Sequence, residues 1–102
     1  MRIQILNFKK SDHAMLRQWQ RKIPEKLIYL ALRNFNGDFL CETLIQVKTQ
    51  TIVEWGFGVF NQDDLFIKIN GNVIVTLFLC PTTDTSNYLS KTKSLYLKHY
   101  IL

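Results

Sequence analysis

Residues 65–79 decide the fold of this chain, and they run LFIKINGNVIVTLFL. Successive side chains of a strand point to opposite faces, and the odd positions on both sides of the Asn-Gly pair at 70–71 are apolar. Asn-Gly is a favoured turn between antiparallel strands. A three-residue loop, residues 70–72, sets Ile69 opposite Val73 and keeps the odd positions on one face. Because register is strongly specified where one face is buried, we predict this loop rather than a two-residue one.

The same alternation predicts four strands within residues 38–79, and fifteen of their sixteen odd positions are apolar. We expect this odd face to be the core face, covered by helices. The second of the four strands covers residues 52–60, where Gly56 and Gly58 are expected to mark a bend. Further strands are predicted in residues 2–8 and, after a polar loop, in residues 94–101.

Residues 12–22 are predicted to form an amphipathic helix, because the apolar period changes there to 3.6. Ser11 or Asp12 can cap its first turn, and Pro24 ends it near Lys22. We expect its apolar side to cover the sheet. The apolar residues that share one arc of about 100° are Met15, Leu16, Trp19 and Ile23.

A second helix is predicted in residues 24–35, where Pro24 suits the first turn. The rival interpretation is a hairpin that turns at Asn36-Gly37. The helix is preferred because its polar and apolar arcs separate cleanly, with Gly37 available just past its end. Its apolar side consists of Leu27, Ile28, Leu30, Ala31, Leu32 and Phe35.

These patterns predict one α+β domain over residues 1–102. An N-terminal strand and two helices would pack on one face of a curved antiparallel sheet of about four to six strands. The composition agrees with such a core, because 47% of the 102 residues are hydrophobic and 21% are charged, unlike a disordered chain.

No membrane association is expected from the sequence. No apolar run approaches the ~20 residues that cross a bilayer, and the N-terminus shows no signal-peptide core. The cytoplasm is therefore the expected compartment.

No catalytic, cofactor or metal pattern stands out, so we expect no cofactor and no metal, and the sequence leans against an enzyme. Cys41 and Cys80 are expected to be free thiols, and the two histidines have no metal-ligand spacing with them. Glu42 and Glu54 would be offset by about 13 Å along the predicted strands, beyond the ~5–9.5 Å of catalytic carboxylate pairs.

The even face of the predicted sheet is half apolar, which is unusual for a solvated face. Either the sheet buries this face itself, or another chain covers it. Our leading hypothesis is therefore a protein-interaction module, either a homodimer or a binder of one protein partner. The expected interface residues are Leu40, Leu44, Ile52, Phe60, Phe66, Ile74 and Phe78.

The basic N-terminal third suggests a second hypothesis. The net charge is +5, and residues 1–33 carry eight basic against two acidic residues. Such potential attracts nucleic acid or acidic proteins. The residues that would carry this binding are Arg17, Arg21, Lys22 and Lys26. A third hypothesis is a small-ligand or enzymatic pocket between helices and sheet, lined by Trp19 and Trp55.

Overall fold

The fold is described from a computed structural model, which describes residues 8–35, 42–58, 63–81 and 98–102. Within these ranges it has three helices and an open five-stranded sheet, so the predicted α+β class is confirmed. The elements are β1 Lys9–Lys10, α1 Asp12–Arg21, α2 Glu25–Asn34, β2 Thr43–Val47, α3 Thr49–Glu54, β3 Asp63–Asn70, β4 Val73–Pro81 and β5 Lys98–Ile101.

The sheet is mixed, with the strand order β1-β4-β3-β2-β5. Its three central strands are antiparallel as expected, whereas β1 joins β4 and β5 joins β2 in parallel. The parallel pairs connect segments that are distant in sequence, since a parallel pair needs a long crossover. Alternation in the sequence indicates where strands lie but not their direction. The antiparallel pairing expected throughout the sheet was therefore wrong for β1 and β5.

The hairpin between β3 and β4 has a two-residue loop, so the predicted three-residue loop is wrong. Asn70 lies opposite Val73, which leaves Gly71 and Asn72 to turn the chain. Gly71 has a φ of +62°, a conformation that glycine adopts without strain. A positive φ at the first loop residue alone is the pattern of a type II′ turn, which matches the twist of paired strands.

A β-bulge restores the common core face that the shorter loop would have disrupted. Ile69 lies opposite Ile74, but Lys68 lies opposite Thr76, so Val75 is the extra residue on β4. A bulge places two residues against one and shifts the pairing by one position. Ile74 consequently faces the core although its position is even.

The main core lies between the helices and one face of the sheet. The second helix is confirmed there, because Leu27, Ile28 and Phe35 are buried. From the sheet, the core receives Ile45, Val47, Leu65, Ile67, Ile69, Ile74 and Leu77. The last strand is confirmed at β5, where Tyr100 packs edge-on against Phe35 with ring centroids 4.7 Å apart.

Residues 49–54 form helix α3, so the predicted strand over 52–60 is wrong. Ile52 is buried in the main core from this helix. The helix ends at a glycine with a φ of +91°, Gly56, and the Phe57 amide donates to the Ile52 carbonyl. This is the glycine-terminated helix end of a Schellman motif. Gly56 therefore ends a helix and does not bend a strand.

Parts of several predictions lie outside the described residues. The N-terminal strand was predicted over 2–8, of which Phe8 is described, and β1 follows immediately at Lys9–Lys10. Gly37 and residues 94–97 are likewise outside the described ranges.

Candidate functional site

The predicted partner surface on the even face of the sheet is not exposed where the structure describes it. Leu44 and Phe66 are buried and form a second cluster with Cys80, on which Phe78 packs. The rings of Phe66 and Phe78 stack with centroids 5.0 Å apart. This side of the sheet is therefore a second small core rather than an open apolar face.

The remaining predicted interface residues are placed elsewhere. Ile52 lies in the main core because it is on α3, and Ile74 lies there because of the bulge. Leu40 and Phe60 fall outside the described residues. The structure thus does not assemble the predicted set into one surface.

The apolar side of α1 faces solvent, contrary to the expectation that it covers the sheet. Trp19 is 77% exposed, Met15 50% and Leu16 49%. The side of α1 that packs on the protein is its small and polar side, with Ala14 fully buried and Gln18 half-buried. We call Met15, Leu16 and Trp19 the α1 apolar face.

Ser11 joins the start of α1 to β4. Its hydroxyl accepts a hydrogen bond from the Ala14 amide and donates to the Val75 carbonyl at 2.7 Å. The Ser11 amide also donates to the Ile74 carbonyl at 3.0 Å. The predicted cap is therefore confirmed, and it ties the start of α1 to the bulge in β4. Ala14 and Gln18, three and seven positions after Ser11, lie on the side of α1 that packs on the protein, and the α1 apolar face is exposed.

A groove of about 540 Å³ lies beside the α1 apolar face. Trp19 and Met15 form its apolar walls together with Ile23, which is 4% exposed. The polar lining consists of Gln18, Gln20 and Lys22. Pockets of this size, mostly apolar with a few polar groups, are common binding sites.

The wall of the groove is held by a network around Gln18. Its side-chain amide donates to the Ile23 carbonyl at 3.2 Å and to Glu25 Oε1 at 3.0 Å. The Lys10 ammonium also pairs with Glu25. Burial raises the pKa of Glu25, but the hydrogen bonds from Lys10 and Gln18 outweigh it and lower that pKa below its usual value. The Glu25 carboxylate is therefore already bonded to Lys10 and Gln18.

Lys22 is the charged residue of the groove, and its backbone is strained. Its φ of +53° is in the left-handed region, which among the described non-glycine residues occurs here alone. Its amide donates to the Gln18 and Trp19 carbonyls, and the Ile23 amide donates to the Gln18 carbonyl. These bonds form a Schellman motif, whose left-handed position is usually glycine.

The other predicted basic residues do not join this groove. Arg17 and Arg21 are each two positions from Trp19, which places them on nearly the opposite side of the helix. Lys26 is exposed on α2 and is not part of the groove lining. Since the two arginines lie away from the exposed tryptophan, they do not form with it the stacking platform of a single-strand binder.

Among the described residues, Trp19 and Trp55 do not line a common pocket, and the pocket of about 230 Å³ that lies between α2 and the sheet is lined by others, among them Phe8, Ile28 and Ile74. Trp19 lines the groove, whereas Trp55 is half-buried at the end of α3 and packs against the main core. Glu54 is also on α3, and Glu42 pairs with Lys68 at 2.9 Å. The two carboxylates therefore belong to different elements.

A buried polar network on the other face of the sheet was missed by the sequence analysis. Gln46 Nε2 donates to Asp64 Oδ2 at 2.8 Å, and the Thr49 amide donates to Asp64 Oδ1 at 2.9 Å. Gln46 Oε1 lies 2.9 Å from His99 Nε2, so His99 is the donor in that contact. Asp64, 1% exposed, thus supports the start of α3, and Gln46 connects it to β5.

The hydrogen bonds of this network connect β2, β3 and β5 with the start of α3. Partial burial lowers the pKa of His99, which favours its neutral form. Within the described ranges, no three His, Cys, Asp or Glu side chains are grouped to hold a metal ion. Cys80 is a buried, reduced thiol, as predicted, and Cys41 lies outside these ranges.

Neither the described helices nor comparisons with known proteins assign a function to this site. None of the described helices has the length and apolar character to cross a membrane. No protein-family model, no curated protein and no solved structure matches this chain.

Proposed function

We propose that this protein is a protein-interaction module that binds one protein partner through the α1 apolar face and its groove. The observation that carries the proposal is the outward orientation of Trp19, Leu16 and Met15 on a helix whose opposite side is packed on the sheet. Contiguous exposed apolar residues with a polar surround are typical of protein-binding surfaces.

A partner that covers Trp19 would gain a substantial free energy from burying it. A tryptophan presents up to ~250 Å², so 77% exposure leaves about 190 Å² of Trp19 in water. At about 25 cal/mol per Å², burying that area is worth at most about 4–5 kcal/mol. Tryptophans beside a pocket are also the residues most enriched among binding hot spots.

A different protein fits this surface better than a second copy of the chain. The net charge of +5 is concentrated in the N-terminal third that contains α1, and two like-charged copies repel each other when these ends meet. The homodimer predicted from the sequence becomes one outcome of the test. The predicted absence of membrane binding and the cytoplasmic location stay predictions.

The experiment is site-specific photo-crosslinking in cells that express the protein. Benzoylphenylalanine replaces Trp19 in one variant and Val53, which is 48% exposed on α3, in the control. We expect position 19 to yield an adduct with one identifiable protein and position 53 to yield none.

The identified protein must then bind the purified chain. Replacing Trp19 by Ala should weaken its affinity by about 30-fold, the effect of losing ~2 kcal/mol at a hot spot, and Val53→Ala should leave it unchanged. An adduct of two copies of this chain, equal cross-linking from both positions, or equal affinity of the Trp19→Ala variant would contradict the proposal.

A further inference from the structure

The position of Lys22 indicates what kind of partner the groove takes. Lys22 occupies the left-handed residue of a helix end, where glycine is the favoured residue. Strained residues in such conformations persist where the site uses them. This lysine is the charged residue of the described groove lining, whose other members are uncharged.

Among the described residues, the groove lining contains no carboxylate that would offset the charge of Lys22. Glu25, the acidic residue nearest in sequence, is already bonded to Lys10 and Gln18. Asp12 lies at the opposite end of α1, ten residues away, or about 15 Å along a helix at 1.5 Å per residue. The described lining therefore combines apolar walls with one positively charged residue, Lys22.

We propose, on the basis of the proposed function, that the partner inserts a segment in which a large apolar side chain is followed within one helical turn by an aspartate or glutamate. The apolar side chain fills the groove between Met15, Trp19 and Ile23, and the carboxylate pairs with the Lys22 ammonium. Opposite charges across an interface select the partner and fix its register, and the apolar contact supplies most of the affinity.

The probe that tests this chemistry is a display library of helical peptides with randomised apolar and polar positions. The full-length protein is the bait, and its Trp19→Ala variant removes peptides that bind elsewhere. We expect the enriched peptides to share one large apolar residue and an Asp or Glu within one turn of it. Enrichment of neutral or basic peptides, or no enrichment, would overturn the inference.

A Lys22→Gly bait is the matched control, because glycine suits this backbone conformation and removes only the side chain. Peptides selected on the wild-type protein should bind Lys22→Gly about fivefold more weakly, as expected for loss of one exposed ion pair. The acidic preference should disappear when the selection is repeated on this variant. Equal affinity for the two proteins would exclude the ion pair.

Two further outcomes separate this inference from the proposed function. A cross-linked partner whose contact segment lacks an acidic residue would overturn the inference and leave the proposed function standing. Binding of the protein to phosphatidylserine vesicles through Trp19, with no peptide enriched, would overturn both, since the surface would then serve a lipid membrane.

Discussion

Replacing Lys22 by Gly or Ala separates the backbone cost of this residue from the role of its charge. Both substitutions remove the ammonium group, but alanine retains the strain at a φ of +53°. A left-handed conformation costs a non-glycine residue about 1–2 kcal/mol, whereas the freedom of glycine in the unfolded chain costs about 0.4–1 kcal/mol. We therefore expect Lys22→Gly to unfold with a free energy about 0.5–1 kcal/mol higher than Lys22→Ala.

Urea denaturation followed by circular dichroism measures this difference. With a slope of about 1–3 kcal/mol per M, the midpoint of Lys22→Gly should lie about 0.2–1 M above that of Lys22→Ala, at equal slope. The same two variants should bind an acidic peptide equally weakly. Equal midpoints would refute the assigned backbone conformation, and wild-type affinity in both variants would refute the role of the charge.

Three further predictions concern the contacts that hold the fold. Ser11→Ala removes the cap of α1 and the bond to the Val75 carbonyl, and we expect a loss of about 1–2 kcal/mol in the free energy of unfolding, most of which Ser11→Thr retains. Asp64→Ala leaves the Thr49 amide without its carboxylate acceptor, which should cost about 1–3 kcal/mol in a denaturant titration; an unchanged midpoint would show that the carboxylate is dispensable. Because burial lowers the pKa of His99 below 6.5, the unfolded chain binds this proton more tightly, so stability should be complete above pH 6.5 and fall below it. His99→Gln should flatten the decline of the melting temperature below that pH, and identical profiles would contradict this.

The hairpin shows how far strand patterns predict a register. Alternation in residues 65–79 correctly assigned both strands and the odd core face of β3. The longer loop was predicted on the assumption that only the loop length could keep the odd-numbered residues of both strands on the core face. The structure preserves the common core face within β4, through a bulge at Val75. A bulge has no clear signal here, since Val75 is an ordinary strand residue.

The segment around α3 shows why period alone misassigned a helix. A helix as short as α3 needs only one buried apolar residue, which here is Ile52, and so the apolar pattern of this segment also permits a helix. A tertiary contact favours the helix over the strand. The Asp64 carboxylate accepts a hydrogen bond from the Thr49 amide at the start of α3. Gly56 was visible in the sequence, and its use as a helix end could have been considered.

The candidate site was the least predictable part, although its residues were recognised. The sequence correctly placed Met15, Leu16 and Trp19 on one side of one helix. Amphipathicity usually predicts burial of the apolar side, whereas here α1 packs on the protein through Ala14 and its apolar side is exposed. An exception of this kind is where function is expected.

The free energy of unfolding of the double variant Leu16→Gln, Trp19→Gln tests the central claim most directly. Both residues are substantially exposed, and glutamine is a good helix former, so stability should stay within about 0.5 kcal/mol of the wild type. Ile28→Ala, at a buried position of α2, is the reference and should lose about 2–5 kcal/mol. If the double variant also loses 2 kcal/mol or more, a scale set by core substitutions, the α1 apolar face is buried in the protein's own core and the proposed docking surface does not exist.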